Sequence, residues 1–328
     1  MIDGLFCFDI HGHSPGILAR GSRLRGPGTP EDTAIEELPL YGIDACILSA
    51  VGDLATFGAE TRNELRTAIA QVTAMRSSVE TSKGLIVTDS EQLADENQSG
   101  VLRTILSVEG LDFLEGDVEV LDVLFGSGVR SVGLMHYTPN KIGGICMDLR
   151  GNPGAPGTEG GLTEFGKSLV RRANKLNILI DVAHANERTI REVIEHSSLP
   201  IICSHTGPRS LCDSPRYLAD SDLLTIARSG GLIGIWPGRV GPSGPVDINA
   251  LARMIIHTAE LCGTDMIALG TDFNGVPAYP VGYRGPVDFA KINEVLISLG
   301  LDKRERSGIM GGNARRVIVK ALPSARSN

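Results

Sequence analysis

The sequence predicts an α/β protein of the (β/α)8, or TIM, barrel class, on three observations. Eight short apolar runs recur along its 328 residues. Each is rich in Val, Ile and Leu and nearly continuous rather than alternating, the pattern of parallel strands buried on both faces. Longer stretches with helical spacing separate them, and alternating strands and helices in one chain of this length fit a barrel.

Strands are expected at residues 5–10, 44–50, 102–108, 129–135, 178–182, 200–204, 232–236 and 266–270. A short extra strand or loop segment is expected within 79–88. Helices are expected at 59–80, 162–176, 186–196, 221–228, 248–261 and 286–299. In the second of these, Leu162, Phe165, Leu169, Val170 and Ala173 share one face. No composition break or repeat divides the chain, so residues 1–328 read as a single barrel domain with a short C-terminal tail. The rival, a doubly wound sheet, would carry a glycine fingerprint after its first strand. Here that strand runs into DIHGHSPG.

Charge excludes other classes. Thirty-one Lys and Arg stand against 39 Asp and Glu, a formal net charge of −8, and a nucleic-acid binder needs the opposite balance. Short basic runs at 20–25, 171–175 and 315–320 read as solvated faces. No stretch approaches 18 uninterrupted apolar residues, so no membrane span is expected. The N-terminus lacks a basic region, and Asp3 and Asp9 interrupt its apolar stretch, which argues against a signal peptide. Six scattered cysteines without a CxxC pair suit a reduced, cytoplasmic protein. Residues 161–168, GLTEFGKS, fit the Walker A pattern. That loop needs a strand before it, whereas a Gly/Pro-rich loop precedes it here and Phe165 joins the helical apolar face; the motif is expected inside a helix.

The chemistry gathers at strand ends, where barrel enzymes place their sites. The first strand ends in His11-Gly12-His13, and alternate residues of an extended chain point to one side. Glu109, His136, His184, His205 and Asp272 end the third, fourth, fifth, sixth and eighth strands. A carboxylate such as Glu109 after an apolar run is costly to bury unpaired, so it either pairs with an Arg or bridges cations. Together these N and O donors suit a cation such as Zn²⁺. His196 and His257 fall within helices and read as surface or packing residues. There is no GxSxG elbow, and Cys203 and Cys212 beside His205 lack a distinct base and oxyanion site.

From Asp9 to about Val317 the chain resembles the membrane dipeptidase (renal dipeptidase, peptidase M19) family of the amidohydrolase superfamily. The resemblance is carried by SVEG at 107–110, GVRSVGLMHYTPN at 128–140, GLTEFGKSLVRRANKLNILIDVAH at 161–184, PIICSH and the following SPR within 200–216, ALGTDFNGV at 268–276 and GGNARRV at 311–317. It implies a metal-dependent hydrolase that cleaves a dipeptide or dipeptide-like small molecule with a metal-activated water. It implies Zn²⁺, two ions or one. Glu109 would bridge them, with His11 on one ion and His184 and His205 on the other. His136 would polarise the scissile carbonyl, Arg216 would hold the substrate carboxylate, and Asp272 would move the proton from water to leaving amine. The family often dimerises, which admits a homodimer.

Two positions depart from the family. His13 stands where its His-x-Asp motif has the Asp, exchanging an anionic ligand for a neutral one. HxH is common elsewhere in the superfamily, where the strand-eight Asp also binds metal, so His13 and Asp272 are both carried as metal ligands. Asn274 stands where a second Asp is usual. The alternatives are a tailoring enzyme of the same fold acting on a non-dipeptide metabolite, or a non-catalytic relative. The glycine- and proline-rich segments 151–161, 237–245 and 277–286 are expected to follow strands four, seven and eight and to shape the pocket, with Trp236 either lining it or plugging the barrel top.

Overall fold

Hydrogen-bonded pairing closes a ring of parallel strands in this computed structural model, which describes residues 2–17, 29–53, 64–95, 100–155, 157–239 and 244–325. The strands are β1 (Phe8–His13), β2 (Ala45–Val51), β3 (Leu85–Ile86), β4 (Arg103–Glu109), β5 (Val129–Gly133), β6 (Leu179–Asp181), β7 (Ile201–Thr206), β8 (Leu232–Ile235) and β9 (Ile267–Leu269). β1 pairs with β2 and β9, and β2 pairs with β4 from Ala45↔Arg103 to Val51↔Glu109, which closes an eight-strand barrel. β3 is the expected extra strand. It pairs only with the first residues of β4 and stands outside the ring.

The helices are α1 (Leu65–Thr81), α2 (Ser90–Ala94), α3 (Val120–Gly126), α4 (Glu164–Lys175), α5 (Glu187–His196), α6 (Asp220–Arg228), α7 (Ile248–Cys262), α8 (Phe289–Ser298), α9 (Lys303–Ser307) and α10 (Asn313–Ala321). Five of them, α2, α4, α5, α7 and α9, open on a short polar side chain that caps an otherwise orphaned N–H group. Thr163 accepts from the amide of Gly166, Asn186 from that of Thr189 and Asp247 from that of Ala250. Thr163 thus opens α4 within GLTEFGKS, so the Walker-like stretch lies in a helix and not in a phosphate loop. All six expected helices are present. Residues 59–63 of the first and the basic run 20–25 lie outside the described residues.

One expectation needs correction. β1 runs on to His13, three residues further than expected, so the two histidines belong to the strand itself. The C-terminal stretch forms α10, whose Ala314, Val317, Ile318 and Ala321 are fully or almost fully buried. They join one apolar cluster with the barrel residues Phe8, Ile10, Ile47, Ile105, Leu179, Ile202 and Leu232. Arg315 is half-buried and Arg316 and Lys320 are exposed, so the basic run 315–320 forms the solvated helix face expected of it, while the opposite, apolar face of the same helix seals the barrel interior.

Candidate metal centre at the barrel mouth

The barrel interior changes character along its axis. Its lower residues are apolar, and the strand ends carry Asp181, Ser204, Glu109 and the histidines, all buried. Glu109 ends β4 with its carboxylate at the centre of the group. Its Oε1 lies 3.2 Å from His184 Nε2 and 3.5 Å from His205 Nε2. Its Oε2 lies 3.5 Å from His11 Nε2 and 3.4 Å from His13 Nε2. Asp272 Oδ1 completes the second group, 3.2 Å from His13 Nε2 and 3.9 Å from His11 Nε2.

These spacings decide what the cluster can do. Donors about 2.1 Å from one tetrahedral Zn²⁺ stand roughly 3.4 Å apart, close to the separations here. His11 Nε2 and Glu109 Oε1 are buried without a hydrogen-bond partner. His184 Nε2 faces His205 Nε2 at 3.1 Å. Burial, with Arg216 adding to it at both rings and His11 at His205, holds both imidazoles well below their ordinary range and so neutral. Two neutral imidazole nitrogens that meet edge to edge repel unless a proton or a cation lies between them. The donor set therefore fits two cations sharing Glu109. Burial opposes charge on His11, but Glu109, Asp272 and Asp181 outweigh it and raise that ring to about 9. Burial also opposes ionisation of Glu109, yet His136 and His11 hold it well below the usual carboxylate range.

Backbone strain is concentrated here. His184, Asp272 and Asn274 have positive φ, at 66°, 55° and 65°, a conformation that costs a non-glycine residue about 1–3 kcal/mol. The 272–275 turn pays that cost to bring Asp272 beside His13. Gly275 closes it, and a Cβ there would come within 2.2 Å of Asp272 Oδ1. Asn274 works elsewhere: its amide donates to the carbonyls of His13 (2.8 Å) and Thr33 (3.0 Å) and accepts from Thr33 N (2.7 Å). An aspartate could not make the first two bonds, which accounts for the amide at this position.

His136 approaches from β5, its Nε2 3.7 Å from Glu109 Oε2. Its Nδ1 lies 2.6 Å from Asp53 Oδ1, a fully buried carboxylate just beyond β2 that also accepts from Thr138 Oγ1 at 2.9 Å. Burial disfavours a charged His136, but Asp53 and Glu109 prevail and raise it to about 9. Arg216, 3% exposed, donates from Nη2 to the His205 carbonyl at 2.9 Å and lies over the Trp236 ring at 5.2 Å. Its Nε has no partner, and among the described residues no carboxylate pairs with it. The mouth is lined by His13, Glu109, His136, Tyr137, Arg216, Trp236 and Asp272, with Met147, Leu149 and Pro277 on its apolar side.

All eight residues singled out in the sequence thus converge. Trp236 lines the mouth, and of the three glycine-rich segments only 277–286 contributes a described residue to it. Segment 151–161 instead lines a neighbouring cavity with Pro153 and Thr158, and residues 240–243 lie outside the described residues. His196 and His257 sit on helices, bonded to Glu192 O and Asp220. Sequence reasoning missed Asp53, Asp181 and Ser204. The last two stand inside the quoted IDVAH and ICSH stretches, one turn or one residue from a histidine.

The family model for the membrane dipeptidases (peptidase family M19) matches residues 29–327. A Klebsiella pneumoniae protein encoded in the pqqA 5′ region is 32% identical over 185 residues, 54% of this chain and 66% of its own. Mouse dipeptidase 3 is 27% identical over 262 residues, 79% of this chain and 52% of its own. The chain thus spans about half to two thirds of the length of such curated relatives. A metallopeptidase from Rhodobacter sphaeroides, solved with a phosphinate mimic of the dipeptide L-Ala-D-Ala, superposes with a TM-score of 0.81 at 20% identity. That match covers 97% of this chain and 99% of the other, a likeness of fold.

Proposed function

This chain belongs to the membrane dipeptidase family, and from that membership and the geometry of its barrel mouth we propose that it is a zinc-dependent hydrolase of dipeptides or dipeptide-like amides. One observation carries the reading: the two oxygens of Glu109 each face their own set of nitrogen and oxygen donors. His184 and His205 would hold one ion; His11, His13 and Asp272 would hold the other; Glu109 would serve both. Bound there, the ions supply Lewis acidity that lowers the pKa of water.

The chain's own residues supply the rest. Arg216 is a buried guanidinium with an unpartnered Nε, suited to a free carboxylate on the substrate. His136, protonated at Nδ1 toward Asp53, presents Nε2 to the mouth, where as an imidazolium it donates to the oxyanion that forms as the amide carbon becomes tetrahedral. Asp272 accepts a proton from the attacking water and returns it to the leaving amine. Its place in the lining of the mouth and its contact with His13 suit both duties. His13 stands within the donor set, which supports a working first site in spite of the lost aspartate.

The test is a zinc-loaded enzyme offered a pool of dipeptides with L- and D-residues at the C-terminal position. Release of free amino acids, lost on chelation and restored by Zn²⁺, is expected. A fully loaded enzyme that leaves every dipeptide intact but turns over another amide would favour the tailoring alternative.

A further inference from the structure

Behind the mouth lies a hydroxyl with three buried polar neighbours. Ser204 Oγ is 2.5 Å from Asp181 Oδ2, 2.8 Å from His205 Nδ1 and 3.2 Å from His11 Nδ1. Ser204 is fully buried, and Asp181, His11 and His205 are nearly so. A hydroxyl has one proton to donate and two lone pairs. Asp181 Oδ1 already accepts the amides of Ala183 and Ser204, both at 2.9 Å, and as a carboxylate it has no proton to give. The Ser204 proton therefore goes to Asp181 Oδ2. Both lone pairs then accept, one N–H from each ring.

We propose that Ser204, oriented by Asp181, is a positioning residue shared by the two halves of the metal centre. It holds the proton of His11 and of His205 on Nδ1 and leaves both Nε2 atoms free as ligands. The two rings belong to different donor groups, so one hydroxyl supports both ions. His184 has no such support; its Nδ1 is buried without a partner. The inference rests on the two-ion reading above.

The Asp181→Asn variant separates proton direction from shape. Two backbone N–H groups require the Asn oxygen at the Oδ1 position, which turns its NH₂ toward Ser204. The hydroxyl, now accepting there, must donate to one imidazole, whose proton is driven to Nε2 where it blocks the ligand atom.

The experiment is Zn²⁺ titration of the full chain against a chromophoric chelator. Ser204→Ala should weaken both ions by about 10–100-fold. D181N, the same shape, should weaken at least one ion as much, while Asp53→Asn leaves both affinities unchanged. Because S204A or D181N could fail to fold, ¹⁵N spectra of the zinc-loaded unmodified chain give an independent reading: Nδ1–H on both rings is expected. Unaltered affinities in S204A and D181N, or zinc on Nδ1 of either ring, would overturn the proposal alone. A wild-type chain that takes up no zinc would sink the two-ion reading with it.

Discussion

Asp53 and Asp112 show how much of the site's behaviour lies in carboxylates that touch no candidate ligand atom. Asp53 orients His136 through a 2.6 Å bond to Nδ1. Replacing it with Ala should lower kcat by about 10²-fold or more with zinc content unchanged, which steady-state kinetics and elemental analysis can check together. Asp112 is half-buried, with both carboxylate oxygens shielded from solvent and unpartnered, and their burial, reinforced by the nearby Asp53, pushes it up to about 7. The folded state therefore favours its protonated form. That contribution is complete below the ordinary aspartate value near 4 and is lost as pH rises through 7. Asp112→Asn should leave the melting temperature nearly unchanged at pH 4 and raise it at pH 8. An equal shift at both values would contradict this account.

Among the elements, α10 matters for what its apolar face covers. Its buried face, Ala314, Val317, Ile318 and Ala321, follows the i, i+3, i+4, i+7 spacing of an amphipathic helix, and it closes the end of the barrel opposite the site. Ile318 is fully buried, so Ile318→Ala should cost about 2–5 kcal/mol. Denaturant unfolding would show the loss. Zinc affinity measured on the folded fraction should not change, because the buried face of α10 packs on the apolar residues of the barrel interior. The barrel strands impose their own demand: a Cβ on Gly234 or Gly270 would come within 1.8 Å of the Ser204 carbonyl. Small residues on β8 and after β9 let β7 carry Ser204 and His205 to the centre.

At the scale of the molecule, the mouth gathers Glu109, Asp272 and Asp181 with five histidines in a buried space, an arrangement that cations should stabilise. Ligand that binds only the folded state adds about 2.7 kcal/mol at one hundred times its Kd. Zinc loading should raise the melting temperature by several degrees, and chelation should reverse it; calorimetry showing no shift would count against a metal centre. Among the described residues no helix is long and apolar enough to cross a membrane.

The barrel class, the eight strands and the positions of His11, His13, Glu109, His136, His184, His205 and Asp272 were legible in the sequence. Strands buried on both faces write themselves as continuous apolar runs, and a polar residue ending such a run has one place to go, the strand-end rim. The helical spacing of α10 is in the sequence as well, but that its apolar face packs on the barrel interior is not. Tertiary structure alone decided which oxygen of Glu109 meets which histidines. It also decided that Asp53 reaches His136 across 83 positions of sequence, and that Ser204 serves two rings at once. Those relations depend on how far the barrel curves and where β1 and β7 slip in register. Residue spacing along one strand carries no record of its distance to the strand across the barrel.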